Sequence, residues 1–466
     1  MVFLGHTKRV HFVGVGGIGM SGIAEVLLNL GFDVSGSDLK SSDTTARLQS
    51  MGAAIFVGHT GSNTAGADVV VYSSAVTPDN PELVEARRNG IPSIPRGEML
   101  AELMRLKYAV TVAGAHGKTS TTSLVAAVLA QGGLDPTVIV GGKVRALSSN
   151  ARLGGSRYVV AEADESDGQF VHLPSSVAII TNIDLEHLDF YHDLAAIENA
   201  FVAYADKVPF YGAVILCADD ARAMAIAPRI RRRKVTYSLG GRADVEGIVS
   251  ERGAGWTRFA VCDARGGLGE VTLHIPGDHY ARNALAAIAA GLWLDVPFDQ
   301  IRAGLESWQG VGRRFEVKGE VGGVLVIDDY GHHPTEIAAT VQAALSSYRR
   351  RLFVLFQPHR YSRTQALADE FAACFAGAHR VFITDVYAAG EKPIPGVGAE
   401  TIVERIRRAG GTDVEHVRGY EDGVKRIAEA VREGDMVITM GAGDVTKAGD
   451  LLLARLASAR PVERKG

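Results

Sequence analysis

The feature that most constrains this chain is Val112-Ala-Gly-Ala-His-Gly-Lys-Thr-Ser, which joins the apolar run Tyr108–Ala113 to the apolar stretch Thr119–Gln131. The run reads as a buried strand and the stretch after it as a helix. A chain that leaves a strand, turns on glycines and enters a helix aims successive backbone N–H groups and the positive helix end at one pocket. Phosphate oxygens fit such a pocket. Gly114 and Gly117 let the backbone approach closely, Lys118 places a point charge against terminal phosphates, and the Thr119 hydroxyl can reach Mg2+. The spacing departs from the full G-x-x-x-x-G-K-[ST] pattern, because the position five before Gly117 is Val112. The segment reads as a shortened phosphate loop for a nucleoside triphosphate.

A triphosphate brings Mg2+, with Mn2+ as the alternative ion, so hard ligands belong at the ends of neighbouring strands. Val159-Val-Ala-Glu-Ala-Asp-Glu-Ser-Asp ends one apolar run in Glu162, Asp164, Glu165 and Asp167. Val177–Thr181 ends another in Asn-Ile-Asp-Leu-Glu-His-Leu-Asp, presenting Asp184, Glu186, His187 and Asp189. A second glycine loop stands at the start of the chain. Gly14-Val-Gly-Gly-Ile-Gly follows an expected strand, Arg9–Val15, and opens an expected helix, with Asp38 near the spacing of a ribose-binding acid. Alone this pattern indicates an NAD-dependent dehydrogenase. A hydride-transfer enzyme has no use for a second phosphate loop with its own carboxylates, however, and a nucleotide-diphosphate substrate satisfies the first loop equally well.

Short apolar runs alternate with amphipathic stretches almost from end to end, the pattern of βαβ units feeding parallel sheets. The expected strands include Phe32–Ser35, Val324–Asp328, Leu352–Phe356, Arg380–Thr384 and Met436–Met440, with helices from Pro334 and Thr364. The pattern restarts at Tyr108 and again after Gly310-Val-Gly-Arg-Arg. For 466 residues, at roughly 100–200 per domain, this gives three α/β domains with boundaries near 107 and 312: 1–107, 108–312 and 313–466. The first is Rossmann-like, the second a phosphate-loop domain with a mainly parallel sheet, the third Rossmann-like and doubly wound. No apolar run reaches the ~18 residues of a membrane span, so no membrane association is expected. The first residues run directly into a strand and a glycine turn, which leads us to expect no export signal and a cytoplasmic location. Three dispersed cysteines, Cys217, Cys262 and Cys374, exclude a disulfide framework. The net charge of −4 argues against nucleic acid, and the basic run Arg229–Lys234 reads as a solvated face.

The segments GVGGIGMSG (14–22), SSAV (73–76), GAHGKTSTT (114–122), AEADESD (161–167), TNIDLEHLD (181–189), GDHYARNALAA (277–287), GRRFE (312–316), DDYGHHPTE (328–336), FQPHRYSRT (356–364) and GAGD (441–444) span essentially the whole chain. Together they resemble the Mur ligases, and within them the branch that joins L-alanine to UDP-N-acetylmuramate. Ligases for other amino acids or for a recycled peptide share several of these segments and stay open as the alternative. The resemblance implies an N-terminal domain for the UDP-sugar, a central ATPase and a C-terminal domain that closes over the site. A monomer or weak homodimer is the expected assembly.

Residue by residue, the resemblance implies that Gly16, Gly17, Gly19, Met20 and Ser21 cradle the UDP pyrophosphate, with Asp38, His59, Ser73, Ser74 and Arg96 around the rest of the nucleotide. Gly114, Ala115, His116, Gly117, Lys118, Thr119 and Ser120 would hold ATP, and Thr119, Glu162 and His187 the metal. His279 and Asn283 would contact adenine, while Arg314 and Asp329 would reach ATP from the hinge and the closing domain. Tyr330, His332, Arg360 and Arg363 would line the pocket for the muramoyl carboxylate and alanine. The implied reaction makes an acyl phosphate that alanine then attacks, with Lys118 and His187 serving phosphoryl transfer. His332 either relays the proton of the amine or orients substrate. Ala115 and Ser120 stand where the family's loop carries threonines, and the first lysine after His187 is Lys207, beyond the position of the carbamoylated lysine of sister ligases.

Overall fold

Short β-rich runs of valine and isoleucine become strands here because each is covered on both faces, the condition under which a parallel sheet is stable. The computed structural model describes residues 4–73, 75–105, 107–144, 149–186 and 190–458. The N-terminal domain is a five-stranded parallel sheet of β1 (Arg9–Val13), β2 (Asp33–Asp38), β3 (Ala54–Val57), β4 (Val69–Tyr72) and β5 (Ser93–Pro95), in the order β3-β2-β1-β4-β5. The order reverses at β1, so the Gly14 turn sits at a topological switch point, where open α/β sheets bind ligands.

The central domain is a ten-stranded sheet built from β6 (Tyr108–Ala113), β7 (Thr137–Val144), β8 (Ser149–Arg152), β9 (Tyr158–Glu162), β10 (Val177–Ile180), β11 (Ala213–Cys217), β12 (Lys234–Leu239), β13 (Val245–Gly253), β14 (Trp256–Asp263) and β15 (Gly266–Leu273). Its order is β15-β14-β13-β12-β11-β10-β6-β9-β7-β8. β6 pairs in parallel with β9 and β10, so the phosphate loop and both acidic segments leave the same edge of the sheet side by side. The C-terminal domain has β16 (Glu316–Val321), β17 (Val324–Asp329), β18 (Leu352–Phe356), β19 (Arg380–Ile383), β20 (Asp413–His416) and β21 (Met436–Met440), in the order β16-β17-β21-β18-β19-β20. Only the β16–β17 pairing is antiparallel there.

These three α/β domains form two compact units. One takes the chain up to Val249 with Phe259–Thr272 and Ala281–Val311; the other takes Ser250–Arg258, Leu273–Tyr280 and the chain from Gly312 onward. Within the first, a single hydrophobic cluster runs from Val10, Phe12 and Ile23 of the N-terminal domain to Ile180, Phe201 and Leu216 of the central one. The helix Ile18–Asn29 packs on β7 and β8, and Asn150 of β8 donates from Nδ2 to Ile18 O and to Ser21 Oγ, the latter at 3.3 Å.

Several element ends differ from expectation. β1 stops at Val13 rather than Val15, because Gly14 turns at φ +82° and Ser37 O takes the N–H groups of both Gly14 and Val15. β2 is displaced to Asp33–Asp38, and β19 ends at Ile383. The helix expected from Thr364 begins at Tyr361, directly after Arg360 at φ +72°. The basic run is spent on the surface it covers: Arg232 donates to Val208 O and Asp206 O, and Arg233 lies over the Trp293 ring. No helix among the described residues is long and apolar enough to cross a membrane.

Candidate active site

The phosphate loop is held by its neighbour in the sheet. After buried β6, Gly114 takes φ +133° and Gly117, the helix N-cap, φ +80°. The residues following β10 staple the turn between them. Thr181 Oγ donates to His116 O at 2.7 Å, and the Asn182 side chain accepts from His116 N at 2.8 Å while donating to His116 O at 2.9 Å. Asp184 accepts from His116 Nε2 at 3.1 Å and from Arg222 at 2.6 Å. Although burial works the other way, hydrogen bonds from His116, Leu185 and Arg222 hold the Asp184 carboxyl well below the usual range. A β-carbon on Gly114 would overlap Thr181 Oγ, and one on Gly117 would lie 2.8 Å from Asn283 Oδ1. Asn283 therefore sits directly against the loop, on the helix Asp278–Trp293.

Lys118 Nζ donates to Gly114 O at 2.6 Å, Ala115 O at 3.1 Å and Glu165 Oε1 at 2.7 Å. Burial disfavours its charge, but Glu165, Asp164 and Glu162 outweigh that and push its pKa above the ordinary lysine value. Glu165 is almost wholly buried, and its carbonyl accepts the Tyr191 hydroxyl at 2.9 Å. Glu162 accepts from Gly141 N at 2.8 Å and from the Thr119 side chain. Burial raises the Glu162 pKa. A β-carbon on Gly141 would come within 2.6 Å of the Glu162 oxygens, so this glycine is what admits the carboxylate. A hydroxyl and a carboxylate converging at the start of the helix are the hard-oxygen set that Mg2+ prefers. Ser120 is buried in the first turn of the same helix.

In the first glycine loop, Asp38 at the end of β2 accepts from Gly16 N at 2.9 Å. Gly17 caps the helix Ile18–Asn29, Met20 is buried, and Ser21 Oγ donates to Ile18 O. A β-carbon on Gly19 would lie 2.6 Å from the Arg96 guanidinium, which pairs with Asp164 at 3.1 Å. Arg96 thus links the first glycine loop to the acidic segment after β9. A cavity of about 320 Å³ is lined by Gly17, Gly19, Met20 and Arg96 on one side and by Glu162 and Asp164 on the other, with Ser73 at its edge. His59 bonds Ser37 Oγ at 2.9 Å and lies 3.4 Å from Glu82, in a buried network with His11. Two expected site residues, Ser74 and His187, lie outside the described residues. Lys207 is exposed beyond the end of the helix Leu194–Ala205.

In the second unit, Arg314 is half-buried between Glu336, at 3.4 Å, and Asp329, with its guanidinium over the Tyr330 ring. Asp329 accepts from Phe315 N and Gly331 N, both at 2.8 Å. Burial nevertheless pushes its pKa up to about 6. His332 Nδ1 faces Tyr330 O at 3.2 Å, its ring lies 5.8 Å from that of His359, and His359 faces Arg363 at 3.4 Å. Burial, aided by the charge of Arg363 and opposed by the Glu336 carboxylate 3.4 Å away, lowers the His332 pKa to about 3. Arg360 donates from Nε to Glu391 at 2.6 Å. His279, in the same unit, lies against Tyr280 with ring centroids 4.2 Å apart.

Three family profiles match in order: the Mur ligase family catalytic domain over residues 9–108, the Mur ligase middle domain over 112–291 and the Mur ligase glutamate ligase domain over 313–443. The chain belongs to the Mur ligase family. This Mur ligase is 52% identical over 456 residues to the UDP-N-acetylmuramate--L-alanine ligase of Geotalea daltonii, covering 98% of this chain and 99% of that one. It is 54% identical over 447 residues to the enzyme of the same name from Desulfatibacillum aliphaticivorans, covering 96% and 98%. Among solved structures it is similar to the UDP-N-acetylmuramate-alanine ligase MurC from Thermotoga maritima, with TM-score 0.81 and 30% identity over 98% of this chain and 100% of that one. A murein peptide ligase from Psychrobacter arcticus shares the fold, with TM-score 0.72 and 24% identity over 98% and 100%. The residues that sequence reasoning passed over in this Mur ligase are Asn150, Asn182, Arg222 and Glu391. All are polar side chains whose partners lie far along the chain, so neither spacing nor composition marks them.

Proposed function

We infer that this Mur ligase joins L-alanine to the carboxylate of UDP-N-acetylmuramate at the expense of ATP, a step in making peptidoglycan precursors. The observation that carries the reading is identity above one half, over nearly the full length of both chains, with ligases of that name. The rival reading as a ligase for a recycled peptide rests on a more distant likeness, and the dehydrogenase reading ends with the match to the middle domain.

A free carboxylate needs a leaving group before an amine can displace it. The carboxylate takes the γ-phosphoryl group of ATP, ADP departs, and alanine attacks the acyl phosphate to expel phosphate. Charge spreads over phosphoryl oxygens in the first step, where Lys118 and the loop amides are placed to stabilise it. Thr119 and Glu162, with His187 by motif, would hold Mg2+ or Mn2+, which supplies further positive charge to the phosphate oxygens when bound. Asn283 and His279 are assigned to adenine, and Gly16, Gly17, Gly19, Met20, Ser21 and Arg96 to the UDP diphosphate. Asp38, His59 and Ser73, with Ser74 by motif, serve the rest of that nucleotide. Arg314 and Asp329 serve ATP, and Tyr330, His332, Arg360 and Arg363 the carboxylate and alanine. A His332 pKa of about 3 makes that imidazole a poor resting place for an amine proton and favours the orienting role. Domain limits of 1–107, 108–312 and 313–466 follow from the same assignment. We place the reaction in the cytoplasm, as the sequence leads us to expect.

The test is a phosphate-release assay with UDP-N-acetylmuramate and ATP, varying the amine. Release should depend on L-alanine. Release with a tripeptide but not with alanine would overturn the proposal.

A further inference from the structure

Arg360 is held in a conformation that its own sequence does not favour. Its φ of +72° is a left-handed backbone value for a residue with a full side chain, and such strain persists only where surrounding contacts over-determine it. Those contacts come from one turn. Arg360 N donates to Tyr387 O and Tyr387 N to Pro358 O, both at 2.8 Å, and the His359 and Tyr387 rings stack with centroids 5.6 Å apart. The chain then reverses through Ala389 at φ +49° and Gly390 at φ +87°, closed by Glu391 N to Ala388 O at 3.0 Å. Two consecutive positive φ values make this a tight primed turn with one outcome, the delivery of Glu391.

The Glu391 carboxylate is half-buried in an otherwise exposed loop and is saturated from one direction. It accepts Arg360 Nε at 2.6 Å, Ser362 Oγ at 2.6 Å and Ser362 N at 3.0 Å. Although burial opposes it, these bonds to Ser362 and Arg360 hold its pKa below the ordinary value. The turn therefore fixes both ends of Arg360, the backbone through Tyr387 O and the guanidinium through Glu391.

We propose that Glu391 is a positioning residue, which aims the Arg360 guanidinium at the carboxylate-bearing acceptor substrates through its bond to Nε. This rests on the assignment of Arg360 to those substrates. Glu391 touches no substrate itself; it sets the plane of a planar fork whose value lies in its direction.

The experiment is a double-mutant cycle in the full-length enzyme, with KM measured separately for ATP, UDP-N-acetylmuramate and alanine, and folding checked by melting temperature. Arg360→Ala should raise KM for an acceptor-side substrate by about 10- to 100-fold, leaving KM for ATP within about twofold. Glu391→Ala should raise the same KM about tenfold, and the double variant should be no worse than Arg360→Ala alone. Ser362→Ala removes one bond to the carboxylate without touching Arg360, and should give a smaller shift in the same KM. If Glu391→Ala melts far below wild type, Glu391→Gln, which keeps the shape, replaces it. If Arg360→Ala changes no acceptor KM, the assignment of Arg360 falls. If Arg360→Ala does but the Glu391 variants do not, or if the two losses multiply, Glu391 is not its positioning residue.

Discussion

Lys118 does two jobs that can be separated. Its ammonium lies within hydrogen-bonding reach of Glu165, while Glu162 and Asp164 lie close enough to act on its charge. Lys118→Ala should therefore abolish ADP formation and also destabilise the first unit. Breaking a buried ion pair by removing one partner costs about 3–5 kcal/mol, because the remaining charge is left without compensation. At about 2 °C per kcal/mol for a unit of this size, that is a fall of about 6–10 °C in melting temperature. Lys118→Ala combined with Glu165→Gln should recover most of the melting loss and none of the ADP formation. Differential scanning calorimetry at pH 8, beside an ADP-release assay, decides the matter. A single variant that melts with wild type, or a double variant that melts lower than the single one, would refute the argument.

Gly114→Ala should lose ATP-dependent turnover and melt lower, since a φ of +133° costs a side-chain-bearing residue about 1–3 kcal/mol before the overlap with Thr181 Oγ is counted. Turnover equal to wild type would show that the loop relaxes freely. Glu162→Gln should raise the Mg2+ concentration for half-maximal rate by at least about tenfold, read by titrating metal at saturating ATP. Its melting temperature should not fall, because the buried carboxylate, whose pKa burial raises, is replaced by a neutral group. His332 and His359 have folded pKa values of about 3 and about 4 against an ordinary 6.5, so they take up protons only on unfolding. Their effect on stability is absent well above pH 6.5 and grows as the pH falls, each costing about 2 kcal/mol between pH 6.5 and 4.5. Replacing both by Gln should flatten the acid limb of a urea-unfolding series, and an unchanged limb would clear them.

The strands were legible because they are short, apolar and buried on both faces: β6, β18 and β21 match the sequence expectation residue for residue. The ends were less so, and for a local reason. Val15 looks like strand by composition, but its N–H is captured by Ser37 O, a hydrogen bond made only once β2 lies alongside. Lys118, Thr119, Glu162 and Asn283, which the structure brings together around the Gly114 loop, each stand in a motif and could be singled out as candidates. What held them could not. Asn182 and Arg222 fix the loop through contacts 66 and 38 residues away in sequence. Asp164 looked like a metal ligand among others, yet it pairs with Arg96 from the N-terminal domain. Nor did the periodicity show that the first two domains share a core, since each apolar stripe reads the same whether it buries against its own sheet or a neighbour's.

That shared core changes how the two glycine loops should be understood. Each is a strand, a tight turn and a helix, and on local geometry either accepts phosphate. What differs is the company. The loop at Gly114 faces a lysine, a hydroxyl and several carboxylates, a net negative set that a divalent cation would balance. The loop at Gly14 faces Asp38, which is spent on Gly16 N, and Arg96. One guanidinium suits a diphosphate. The first loop opens on a cavity whose far side is Gly141, Glu162 and Asp164, Arg96 joins it to the acidic segment after β9 through Asp164, and Asn150 ties its helix to the central sheet. Packing within one unit fixes the first loop and its helix against the central sheet that carries the second.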